Sequence, residues 1–129
     1  IVVCLCYSMA TRSIIKFTDG DDMIGVYKHW DGYPNVTVPM IQEFVKWNGM
    51  RNGDLEYTVA NFCFWYKHEG EERDYHTGIG VLSNANADRG QEYEYVVDLV
   101  NQSINEVQTT GKTWNFTEYE PEEVELEAQ

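Results

Sequence analysis

Tyr27-Lys28-His29-Trp30-Asp31-Gly32-Tyr33-Pro34 sets three aromatic rings, an imidazole, a carboxylate and an ammonium within eight residues. His29 and Asp31 flank Trp30. In an extended chain, residues two apart share a face, so this carboxylate can orient this imidazole as a general base. That is the chemistry of a small hydrolase with His29 and Asp31 as its catalytic pair. No partner nucleophile announces itself. A His–Asp hydrogen bond closing a strand end explains the pair with fewer parts. The rings of Tyr27, Trp30 and Tyr33 suit either stacking on a planar ligand or packing as a satellite core under a turn. Arg12 comes near this turn if the first two strands pair, and it then supplies an anion contact. The candidate binding set is Arg12, Tyr27, His29, Trp30, Asp31 and Tyr33.

Other chemistry-bearing residues are weaker candidates. Cys63 lies among aromatics in a helical stretch, where a thiol usually acts as a small hydrophobe. His29, Asp31, His68 and His76 offer metal-ligating atoms, but no HxxxH or HExxH spacing occurs, so no metal site is expected. Asp19-Gly20-Asp21-Asp22 lacks the further acids and terminal Glu of a calcium loop and reads better as a hairpin turn. His76-Thr77-Gly78-Ile79-Gly80 is neither a dinucleotide fingerprint nor a Walker sequence. Its glycines mark a close approach of backbone or ligand to a strand. Cys4-x-Cys6 has the wrong spacing for a zinc knuckle. No motif points to a cofactor.

The chain has 129 residues, 43% of them hydrophobic and 14% aromatic, which suits one domain with a sizeable core. Three cysteines make no disulfide framework and fit a reducing compartment. The formal charge is −13. Glu118, Glu120, Glu122, Glu123, Glu125 and Glu127 crowd the C-terminus with no base among them. Residues 120–129 therefore read as an acidic disordered tail. So strong an acidity disfavours direct nucleic-acid binding. It also admits a third function, an acidic mimic of nucleic acid that fills a basic cleft. Residues 1–8 are apolar, but too short to span a bilayer and without the basic start of a signal peptide. Met9 looks like a translation start, which makes residues 1–8 an expected upstream extension. No membrane contact is expected, and the location reads as cytoplasmic.

The elements that must position these residues follow from periodicity. Arg12–Thr18 and Met23–Trp30 read as a hairpin with Ile15, Phe17, Ile24, Val26, Lys28 and Trp30 on the core face. Thr37 is the expected cap of a helix through Trp47, with Pro39 in its first turn and Gly49 as its stop. Asp54 caps a second helix through Lys67, whose buried stripe is Leu55, Val59, Phe62 and Tyr66. Strands are expected over Tyr75–Ser83, Glu92–Val100, Ser103–Thr109 and Thr113–Tyr119. The order ββααββββ predicts an α+β domain over residues 9–119, with an antiparallel sheet and both helices on one face.

The start Met9-Ala10-Thr11-Arg12-Ser13, the hairpin and the Tyr27–Pro34 block together resemble a group of small proteins common in bacteriophages and prophages. Those proteins open with Met-Gly-Thr-Arg and carry a Tyr-Arg-His/Gln-Trp-Asp-Gly-Tyr-Pro-like block. Ala10 and Lys28 depart from that pattern. The resemblance implies a viral or bacterial cytoplasmic setting and no particular activity. The leading expectation is a non-enzymatic binding module, a phage accessory protein that engages a host component or a small ligand through residues 27–34. Two helices cannot cover both faces of so wide a sheet. The other face is thus expected to form a homodimer, with Trp114 or Phe116 near the contact.

Overall fold

The computed structural model of the chain describes residues 10–68 and 78–117. Residues 1–8, His76 and the 120–129 tail lie outside the described residues. The elements are β1 Ser13–Thr18, β2 Met23–Lys28, α1 Pro34–Asn48, a 3-10 turn Gly49–Gly53, α2 Leu55–His68, β3 Ile79–Val81, β4 Tyr93–Asp98, β5 Ser103–Glu106 and β6 Thr113–Asn115. The fold is α+β in the predicted order. The strands form one six-stranded sheet ordered β3-β2-β1-β4-β5-β6.

The sheet is mixed, not wholly antiparallel. β4 pairs with β1 in parallel, Ile15 opposite Tyr95, while every other pairing is antiparallel. The cause is topological. β3 adds outside β2, so β1 keeps an open edge that β4 must reach by a crossover. The crossover passes over the face opposite the helices. Leu82 and Ala85 press on Gly25, where a β-carbon would sit 3.2 Å from Leu82 Cδ1. Asn86 Oδ1 accepts from Lys16 Nζ at 3.2 Å, and Glu94 pairs with the same ammonium at 2.8 Å. Ile14 and Lys16 are thereby buried on this second face.

The core lies on the helical side. Ile15, Phe17, Val26, Tyr95, Val97 and Ile104 from the sheet meet Ile41, Phe44, Phe62 and Trp65 from the helices. Phe44 sits at its centre, edge-on to Phe62 at 5.1 Å and to Phe17 at 6.2 Å. Trp114 packs against this core and Phe116 is buried in it, so both rings face inward. α1 begins earlier than the Thr37 cap predicts. Pro34 is its first residue and Pro39 lies inside it. The predicted boundary fails because Thr37 is buried and its hydroxyl is used elsewhere. α2 and its stripe follow the predicted pattern, with Thr58 N–H donating to Asp54 O at 2.8 Å. Among the described residues no helix is long and apolar enough to cross a membrane.

Candidate functional site

β2 is shorter than the alternation predicts. It stops at Lys28, because the chain turns sharply through Asp31, whose φ is +54. An aspartate tolerates this left-handed conformation better than a branched residue. Gly32 then passes so close to β1 that a β-carbon would meet Ser13 Cβ at 2.8 Å and Thr11 O at 2.9 Å. Only glycine fits. Its N–H donates to Thr11 O at 2.9 Å. Pro34 follows and starts α1 with a φ already suited to the helix. The eight-residue block is thus a corner that joins β2 to α1.

Nearly all of its polar chemistry turns inward. Lys28 is 1% exposed and its ammonium donates to Trp30 O and, at 3.1 Å, to Asp31 O. The ring of Tyr66 lies 6.0 Å from that charge. Asp31 O also accepts the Thr37 hydroxyl at 3.0 Å, and Tyr95 OH donates to Gly32 O at 2.5 Å. Carbonyls that a sharp turn would leave bare inside the protein are therefore satisfied, as burial demands. The Asp31 carboxylate accepts from Tyr33 OH at 3.1 Å. His29 Nδ1 and Tyr27 OH are 2.7 Å apart, and the His29 N–H donates to Gly78 O at 2.9 Å.

Trp30 is the exception. Predicted on the core face, it is 44% exposed, because the strand ends two residues before it. Its ring is held nonetheless. One side lies on Gly78, where a β-carbon would be 2.6 Å from the indole, and His29 packs edge-on at 4.7 Å. The Gly78 signal in the sequence thus marks a ring approaching backbone.

The candidate residues divide accordingly. Tyr27, His29, Trp30, Asp31 and Tyr33 share the corner, but no hydrogen bond joins His29 to Asp31. Arg12 borders Gly32 through its backbone, while its guanidinium lies against Gly90 in the crossover. Cys63 is half-buried, and burial pushes its thiol pKa up against the pull of Lys67. His68 stacks on Phe64 at 4.6 Å. Among the described residues no three His, Cys, Asp or Glu side chains converge to hold a metal. Asp19 Oδ1 accepts the N–H groups of Asp21 and Asp22, as a tight hairpin turn requires.

Sequence reasoning missed two groups. Glu106 is fully buried and gathers the N–H groups of Glu94, Gln108, Thr109 and Thr110 with the Thr110 hydroxyl. Burial raises its pKa, yet the amides of Thr110, Glu94 and Gln108 together hold it below the usual glutamate range. The signal was Glu106 standing three and four residues before Thr109-Thr110. Ser13 Oγ is buried without a hydrogen-bond partner among the described residues, and nothing in its sequence context announces that. Two clefts open elsewhere. One of about 550 Å³ lies between α1 and the end of β6, lined by Gln42, Glu43, Lys46 and Phe116. The other, of about 560 Å³, is lined by Asp19, Asp22, Asp54 and Glu56. No protein-family model, curated protein or solved structure matches this chain.

Proposed function

We propose that this chain is a non-enzymatic binding module that presents Trp30 from a locked corner. One observation carries the reading: Tyr27, Lys28, Asp31 and Tyr33 are engaged within the fold, while the Trp30 ring remains 44% exposed. A half-exposed tryptophan on a rigid support loses little conformational entropy on binding. His29 Nε2, which has no partner among the described residues, stands beside it as a polar contact. A planar or apolar group of a host component or small ligand suits this surface. The likeness of the Tyr27–Pro34 block supports a phage accessory role in a bacterial cytoplasm. Thermal-shift screening of nucleotides and capture from bacterial lysate test it, with Trp30→Ala as the control. A ligand or partner lost in that variant is the expected result. A screen whose hits bind wild type and Trp30→Ala equally counts against it.

The Tyr27–His29 contact favours a second reading, a hydrolase in which the imidazole accepts the proton of a phenol nucleophile. Asp31, bonded to Tyr33, does not serve as its orienter in this geometry. Hydrolysis of an ester panel that disappears in both Tyr27→Phe and His29→Ala would favour it over binding. The mimic reading draws less support. Asp19, Asp31, Asp54, Asp88, Glu94, Asp98 and Glu106 each accept hydrogen bonds within the fold.

A further inference from the structure

The sheet face opposite the helices does not hold the uncovered apolar area that strand alternation suggests. The crossover covers its centre, and Trp114 and Phe116 turn to the core. Met23, Trp30, Val81, Val100 and Val107 are exposed at separate places, whereas four large exposed side chains gather on the outside of the helical layer. Trp47 is 46% exposed, Phe64 49%, Tyr57 60% and Met50 97%. Trp47 and Phe64 stack at 6.5 Å with 26° between their planes, and Trp47 is anchored below by Phe44 at 6.2 Å. His68 stacks on Phe64 in turn, so the ladder is fixed by ring contacts on both members.

Two further facts indicate what covers it. The first is area. Taking ~200 Å² for a fully exposed large side chain, these four offer roughly 500 Å² of apolar surface. That matches the non-polar share of the ~800 Å² that each partner contributes to a standard stable interface. The second is charge. Residues 34–68 carry Lys46, Arg51 and Lys67 against Glu43, Asp54 and Glu56, so the whole layer is neutral in a chain of −13. Two copies of so acidic a chain repel. Contact through a neutral layer opposes them least, and a neutral rim steers neither a strongly basic nor a strongly acidic partner.

We infer that the outer face of α1 and α2 is a two-fold homodimer interface. The Trp47–Phe64 ladder of one protomer packs on that of its partner, and Met50 is buried at the contact. An isologous arrangement needs only this one self-complementary patch. The surface is distinct from Trp30, so the dimer carries two copies of that corner.

Light scattering of the full chain, from about 0.1 to about 100 μM, tests the inference over the affinities usual for such an area. At the upper end the mass should be twice that of the 15.0 kDa chain. Met50→Glu alone should weaken association at least tenfold. Met50 is 97% exposed, so its replacement leaves the protomer fold unchanged by circular dichroism. Met50→Glu with Phe64→Glu should give the single-chain mass throughout, whereas Trp30→Glu should still dimerise. A wild-type mass of 15.0 kDa at every concentration overturns the inference. So does a dimer whose affinity the Met50 and Phe64 substitutions leave unmoved.

Discussion

The Tyr27–Pro34 corner and the outer face of the helices are opposites. The corner holds the residues with the richest chemistry, and the fold engages most of that chemistry itself: an ammonium on two carbonyls, a phenol on an imidazole, a second phenol on a carboxylate. The helix face holds no dense motif, yet its rings and its methionine lie open to water. Reactive residue types therefore do not by themselves mark a site. What a fold leaves unsatisfied is the better guide, because satisfied polar groups contribute to stability and have little left for a partner.

The largest expected effect breaks the corner. Gly32→Ala sets a β-carbon against Thr11 O and Ser13 Cβ, neither of which is the far end of a flexible side chain. Equilibrium urea unfolding should show a loss of about 3 kcal/mol. A loss below about 0.5 kcal/mol would mean that the corner yields easily and is not a lock.

Glu106 sharpens the contrast as a second enclosed polar group. Glu106→Gln should cost about 2 kcal/mol at neutral pH, because charge-assisted bonds to several amides are replaced by weaker ones. The pH dependence has a definite sign. The folded pKa lies below the unfolded one, so the stabilisation is complete above about pH 5 and declines as pH falls toward the depressed folded value. Asp98, lowered foremost by the Asn101 amide, adds to the same decline. Wild-type stability should fall as pH drops below about 5, and the Gln variant should show a lower plateau with a shallower fall. Parallel curves would contradict the assignment.

The smallest effect belongs to the helix face. Met50→Ser should change protomer stability by less than about 0.5 kcal/mol, measured at dilution where single chains prevail. A larger loss would show that this residue supports the protomer fold.

Much of the fold was legible in the sequence, and the reason is local. Alternation in Arg12–Thr18 and Tyr93–Val97, the Leu55–Tyr66 stripe and the Gly49 stop are each set by neighbours in the chain. The parallel β1–β4 pairing was not legible, because it depends on where a polar crossover lies across a sheet. The corner was visible as a dense cluster. Its meaning was hidden, because most partners that satisfy it, Thr11, Tyr66, Gly78 and Tyr95, come from elements distant in sequence. Trp30 was misplaced because alternation cannot foresee the positive φ at Asp31. The Trp47–Phe64 ladder was not legible, because the first helix's apolar stripe takes in Trp47 while Phe64 falls outside the Leu55–Tyr66 stripe, and nothing local pairs the two rings.

Native-state hydrogen exchange of the Gly32 amide tests the central claim most directly. That N–H donates to Thr11 O at the tightest point of the corner. If the corner's chemistry serves the fold, Gly32 exchanges only through global unfolding, with the same opening free energy and denaturant dependence as the core amide of Val26. Exchange through local opening, several kcal/mol easier than at Val26 and insensitive to denaturant, would contradict the account and return the corner to the candidates for direct chemistry.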